Sequence, residues 1–225
     1  MTKYDFIKDI IEENILIKIG VQDFAGNEIG YLRPLTKNLI ENERSIITKL
    51  TEWRNQFSMH FFSTFIATEE RTKYWLQNQV LNKSDKLLFL IYSQNNLVGH
   101  LGFTNFNFET VELDNLVRGE LGGHSQLIFY AESALIDWIF QKLELKIITA
   151  QILSRNILSI FLQQKLKFRI KNKIYLNEIL ENDEALLVET IDNKIINPRL
   201  FKYVVFLTKD DFYNNHESLK NENYY

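Results

Sequence analysis

Residues 110–153 constrain the fold more than any other stretch of this chain. TVELDNLVR (110–118) alternates apolar and polar residues, as a half-buried strand does. It runs directly into GELGGHSQ, where three of the chain's eight glycines (Gly119, Gly122 and Gly123) fall within five positions. Ser125 stands as a cap for a helix over 126–143, with Leu127, Ala131, Ala134, Leu135, Trp138 and Ile139 facing inward. KIITAQIL (146–153) then reads as a strand. A strand, glycine loop, helix and strand in this order make a crossover unit, which places two parallel strands in one sheet.

The remaining pattern surrounds that unit. KLLFLIYS (86–93) is continuously apolar, as a central strand is, and QNN turns it into LVGHLGFT (97–104), an antiparallel meander. Periodicity predicts helices over 4–13, 38–54, from Thr68 to near Asn82, and from Asn156 to Lys165. Strands are expected at 15–21, 28–35, 173–180 and 202–208, and a loose polar tail from Asn214. HFFSTF (60–65) reads either as an aromatic lid or as a core plug, and Arg71 and Lys73 as solvated. The fold class is α/β (α+β): one domain, with a mixed, mostly antiparallel sheet flanked by helices on both faces.

Composition removes several function classes. With no cysteine, the chain has no disulfide, no thiolate metal site and no thiol nucleophile. A net charge of −3 gives no electrostatic footprint for nucleic acid. No uncharged apolar run reaches membrane-spanning length, and the acidic N-terminus lacks a signal peptide's pattern, so a cytoplasmic protein is expected. The four histidines show no ligand spacing, and no metal is expected.

A glycine loop opening a helix suits an anion, because its N–H groups lack partners and the helix dipole favours negative charge. It equally suits a tight connection with glycines at positive φ. Arg118 beside the loop and His124 within it are candidate phosphate contacts. Neither a Walker loop nor a dinucleotide fingerprint matches RGELGG. Glu112 and Asp114 share one face of their strand and, with His100 on the preceding one, are candidate general bases. For Glu112 and Asp114 the alternative is a solvated strand face, and for His100 a structural histidine.

RGELGG, followed by WIFQKLELKIITAQILSRN, resembles the pyrophosphate loop, helix end, fifth strand and asparagine of the GNAT acyl-CoA-dependent N-acyltransferases. The loop carries one residue more than that pattern between Arg118 and Gly122. YLRPLT, LTEWRNQF and the closing KIYLNEILEND…PRLFKYVVFLTKDDF are similar to members acting on nucleotide-linked amino sugars. The resemblance covers 28–212, leaving 1–27 as an N-terminal extension and 213–225 as a polar C-terminal tail.

It implies that an amine attacks the thioester of acetyl-CoA directly. Backbone groups of Leu116 and Val117 would hold the pantetheine, Arg118, Gly119, Gly122, Gly123 and His124 the pyrophosphate, and Asn156, with Ser159, the pantetheine or a water near it, with a helix N-cap the alternative for Asn156. Arg54 and Asn55 would meet the acceptor. The family's tyrosine acid falls on Gln163, which has no transferable proton. The proton then comes from Tyr130, Ser159 or water, or the thiolate leaves unprotonated, or the chain is a silent acyl-CoA binder. Other acceptors within the resemblance are a protein N-terminus or a small amine, and a homodimer is compatible with it.

Overall fold

The structure, a computed structural model, describes residues 2–182, 184–190 and 195–222. Its strands are β1 (Ile19–Gln22), β2 (Glu28–Pro34), β3 (Ser63–Thr64), β4 (Leu87–Ser93), β5 (Asn96–Thr104), β6 (Thr110–Arg118), β7 (Ile147–Leu153), β8 (Arg169–Glu181), β9 (Glu184–Glu189) and β10 (Phe201–Thr208). They lie in the order β1-β2-β4-β5-β6-β7-β10-β8-β9-β3. Every pairing is antiparallel except that of β6 with β7. That parallel ladder runs only from Thr110 opposite Ile147 to Leu113 opposite Ala150. Beyond it the two strands part, while β7 stays paired with β10 as far as Leu153.

The helices are α1 (Lys3–Ile11), α2 (Lys37–Asn42), α3 (Arg44–Gln56), α4 (Glu69–Trp75), α5 (Leu127–Lys142), α6 (Ile157–Lys165) and α7 (Lys209–Glu222). Side chains alternate across a strand, so the sheet's two faces are read from neighbouring residues. Phe89 of β4 meets Trp138 of α5 edge to face, with ring centroids 5.7 Å apart. Its neighbour Leu88 faces a cavity that it shares with Leu50 of α3 and Thr72 of α4. The sheet is therefore flanked by helices on both faces, as its pattern predicts.

Several elements differ from the sequence expectation. The helix expected over 38–54 is broken at Glu43, whose ψ of 75° leaves the helical region. The helix from Thr68 ends in a π-helical turn, Leu76–Leu81. Ser125 does not cap α5. Gln126 takes the cap position, its N–H donates to Nδ1 of His124 at 3.1 Å, and Leu127 N–H donates to the His124 carbonyl. The tail is helical: Thr208 Oγ1 accepts from Asp211 N at 3.2 Å, Phe212 is buried, and α7 continues to Glu222. The end of that tail, 223–225, lies outside the described residues. Strand β9 was not expected, and it holds β3 at the far edge of the sheet. The first 27 residues add to the same core and sheet: Ile7, Ile10, Ile11 and Val21 are buried, and β1 pairs along β2.

Candidate active site

The site begins with a fault in β6. Gly102 of β5 opposes Asp114 and His100 opposes Val117, so Leu101 faces two residues, Asn115 and Leu116. Asn115 takes a left-handed backbone (φ 57°), tolerable for an asparagine. Such a bulge breaks the ladder and re-aims side chains. It falls just past the point where β6 leaves β7, so the sheet opens and the strand kinks in one place.

Two cavities meet there. The larger, about 760 Å³, lies between α3, α4, the 61–67 segment and strands β4, β5 and β6. The smaller, about 100 Å³, lies in the opening between β6 and β7 and reaches Asn156, Ser159 and Gln163 of the α6 turn. Asp114, Asn115, Gly102, Phe61 and Phe62 line both.

The three base candidates separate in the structure. Asp114 is accessible, but what reaches it is cavity rather than open solvent. Desolvation raises its pKa above the usual carboxylate range, against a lowering hydrogen bond from Asn115 N–H (2.7 Å), with the Glu112 charge a smaller raising influence. Glu112 lines neither cavity, and Gln151 Nε2 donates to both of its oxygens at 3.0 and 3.1 Å. His100 lines the larger cavity, but burial pushes its pKa down to about 4, its ring stacks 6.1 Å from Trp53, and its Nδ1 has no partner. It is neutral at pH 7 and a weak base.

The three loop glycines have three different reasons. A Cβ on Gly119 would fall 1.9 Å from Cε2 of Trp53, so this glycine seats the α3 indole against the end of β6. A Cβ on Gly123 would meet the Ser93 hydroxyl at 2.3 Å. Gly122 alone of the three, at φ 119°, has open space where a Cβ would be. The N–H groups of Gly119 and Glu120 both donate to Val98 O. Among the described residues, no backbone hydrogen bond outside regular elements uses the N–H of residues 121–125. Anion-binding capacity is therefore concentrated at Gly122 and just after it.

Arg118 does not face outward as a phosphate contact. Its guanidinium donates to Gly122 O at 2.9 Å and Ser125 O at 3.3 Å, bracing the loop from behind. His124 spends Nδ1 on the α5 cap and packs its ring against Tyr130. Tyr130 lines neither cavity. Leu116 lines the small cavity and Val117 is buried. Asn156 Oδ1 accepts from Ser159 N at 3.2 Å, so it caps α6 and also lines the small cavity, as Ser159 does.

Of the two residues expected to meet the acceptor, Arg54 lines the large cavity and Asn55 does not. Asn55 pairs with both backbone groups of Ala67, at 2.8 and 3.0 Å, and so fixes the cavity's rim. Arg54 donates to Ser63 O (2.8 Å) and lies over the rings of Phe61 (3.8 Å) and Phe65 (4.6 Å), while Nη1 has no partner. Burial lowers its pKa to about 10, so it stays cationic. Arg71 is exposed, as expected, and it also lines the same cavity, stacks on Phe65 and pairs with Glu184 of β9. In HFFSTF, Phe61, Phe62 and Phe65 line the large cavity, and Ser63–Thr64 is β3.

The sheet thus opens between two parallel strands, with a cavity on each side of one carboxylate, Asp114. The family model for the acetyltransferase (GNAT) domain matches residues 32–169, more than half of the chain. The chain belongs to that family and is an acyl-CoA-dependent N-acetyltransferase. No curated protein matches it significantly.

Solved structures share the fold at low identity. Spermidine N-acetyltransferase from Vibrio cholerae, in complex with CoA and spermine, is 16% identical, with 84% of this chain and 100% of that one covered at a TM-score of 0.62. RimL, the ribosomal L7/L12 alpha-N-protein acetyltransferase in complex with coenzyme A, is 13% identical, with 87% and 99% covered at 0.61. A probable GNAT acetyltransferase from Chromobacterium violaceum is 14% identical, with 86% and 87% covered at 0.62. Among the described residues, no group of three His, Asp or Glu side chains is placed to hold a metal ion, and no helix is long and apolar enough to cross a membrane.

Proposed function

We propose that this enzyme moves an acetyl group from acetyl-CoA to the primary amine of a nucleotide-linked amino sugar. One observation carries the acceptor: Arg54, cationic and with an unpartnered Nη1, sits in an aromatic-walled chamber beside Asp114. A guanidinium short of acceptors suits a phosphate or carboxylate, and aromatic walls suit a base or sugar face. Arg54, Arg71 and Lys86 outnumber Glu70 and Asp114 in that lining, which disfavours a polycationic acceptor such as a polyamine.

The donor's pyrophosphate lies on the N–H groups from Gly122 onward, and its pantetheine arm enters the opening between β6 and β7 past Leu116, Asn156 and Ser159. Asp114 takes the proton from the attacking amine. A cytoplasmic setting belongs to the same reading. So does a second copy of the chain against the exposed apolar positions of β8, Ile170, Ile179 and Leu180, which light scattering tests.

Calorimetric titration with acetyl-CoA, with ATP and UDP as controls, tests the donor. One-to-one micromolar binding of acetyl-CoA and none of ATP is expected. Coenzyme release is then compared across UDP- and dTDP-amino sugars, a polyamine and an N-terminal peptide, and preference for either of the last two sinks the proposed acceptor.

Two variants refine this. Gly122→Val is expected to weaken acetyl-CoA binding at least tenfold, because it fills open space and strains a left-handed position. An unchanged dissociation constant in the folded variant would remove the loop from the donor site. Asp114→Asn is expected to cut kcat by roughly 10²-fold with acetyl-CoA affinity unchanged. A variant that keeps its turnover has its base elsewhere.

A further inference from the structure

Among the described residues, Glu132 is the only carboxylate within the buried set, at 2% exposure. It stands in the second turn of α5 and lines the small cavity in the opening between β6 and β7. Gln163 Nε2 donates to its Oε1 at 2.6 Å. Its Oε2 has no partner, and neither has Oε1 of Gln163. An ionised Glu132 would bury a charge against one amide and no cation, an arrangement that favours the protonated form. Its free oxygen is thus a donor waiting for an acceptor.

The other titratable groups facing this cleft are Asp114 from β6 and His60 from the turn before β3. From α6 and β7 come Gln163, Ser159, Asn156 and Gln151, none of them charged. Asp114 also faces the acceptor chamber, while Glu132 does not. A carboxyl on the donor side alone is suited to the leaving group rather than to the amine.

We infer that Glu132 is the general acid of the transfer, giving its proton to the departing sulfur. The inference rests on reading the small cleft as the donor side. The amine nitrogen attacks the thioester carbonyl carbon and the C–N bond forms. The C–S bond breaks and sulfur takes the electron pair. The proton of Glu132 passes to sulfur, giving the coenzyme thiol and a Glu132 carboxylate, which Gln163 Nε2–H holds. The nitrogen's surplus proton goes to Asp114. Exchange with solvent returns one proton to Glu132 and removes one from Asp114. Burial, opposed by the Gln163 amide bond, pushes the Glu132 carboxyl up to about 7, where acid and conjugate base are both accessible at neutral pH.

The test compares wild type with Glu132→Gln in three readouts. Infrared difference spectra of the free protein between pH 6 and 8 should show a carboxylic acid band that fades as pH rises, absent from the variant. Calorimetry with acetyl-CoA should give dissociation constants within threefold of each other. Coenzyme release is followed with a thiol reagent, which the cysteine-free chain leaves undisturbed, using the best amine of the acceptor panel or water. Wild-type turnover should decline above neutral pH. Glu132→Gln should be slower by roughly 10²-fold at pH 6.5 and lack that decline.

Should Glu132→Gln misfold, Gln163→Leu serves in its place. It removes the bond that stabilises the carboxylate, so the decline should move to higher pH. Turnover of Glu132→Gln within threefold of wild type, or an unmoved decline in Gln163→Leu, overturns the assignment of Glu132. Failure of wild type to bind acetyl-CoA counts instead against the donor cleft itself.

Discussion

Glu132→Gln is expected to be more stable than wild type by roughly 3 kcal/mol at pH 8 and no more stable at pH 4. The sign follows from where each state holds the proton. Glu132 keeps its proton to about pH 7 in the fold, whereas an unperturbed glutamate loses it near 4.5. Between those values the folded chain binds the extra proton, so stability falls as pH rises, and above pH 7 the whole cost is present. Glutamine cannot ionise and avoids that cost.

His100 works in the opposite direction. Burial holds it neutral down to about pH 4, against an ordinary value of 6.5, so its contribution grows as pH rises from 4 to 6.5 and is complete above. From about pH 4.5 to 6.5 the two slopes nearly cancel in wild type. Glu132→Gln should expose the histidine slope, its stability climbing through that window. Urea unfolding at pH 4, 5.5 and 8 measures all of this. An equal gain at pH 4 and pH 8 would mean that Glu132 is not protonated by its burial.

Gly119→Ala should destabilise the chain by about 2–3 kcal/mol and lower its melting temperature by roughly 5–10 °C. The added methyl would fall 1.9–2.3 Å from three atoms of the Trp53 indole, a side chain only 2% exposed and hemmed in by the core. Either the ring leaves its place beside His100 or the loop lifts off α3, and the Lys49–Glu120 ion pair across the same junction would be disturbed. Gly122→Ala meets no atom but strains a backbone at φ 119°, so its loss comes from the loop alone and should leave the Trp53 indole in place. Thermal melts with tryptophan fluorescence on both variants check the contrast, and an undisturbed indole in Gly119→Ala would refute the division of roles among the glycines.

The sheet was legible where pattern is local. KLLFLIYS, LVGHLGFT and TVELDNLVR became β4, β5 and β6 because runs and alternation report burial directly. Strands β3 and β9 were not legible: a two-residue strand has no period, and its partner lies about 120 residues away. Arg71 reads as solvated and is exposed, but its helix gives no sign that Phe65 and Glu184 lie beside it.

Glu132 did carry a signal that sequence reasoning passed over. Its helical neighbours three and four residues away are Ile128, Phe129, Leu135 and Ile136, so the carboxylate stands on an apolar face. Asp114 and Arg54 are singled out in the sequence by residue type and place, and both line the large cavity, whereas the bonds of Glu112 to Gln151 and of Asn55 to Ala67 are created only by the fold.

The latch between Arg71 of α4 and Glu184 of β9 has a consequence for how such an enzyme diversifies. The large cavity draws its outer wall from residues 61–75, which the hairpin far along the chain braces, while the small cavity is lined mainly from residues 113–163. The two share Phe61, Phe62, Gly102, Asp114 and Asn115. With the acceptor in the first and the coenzyme in the second, as proposed, most of either lining can drift by substitution without touching the other, and only the five shared residues are answerable to both.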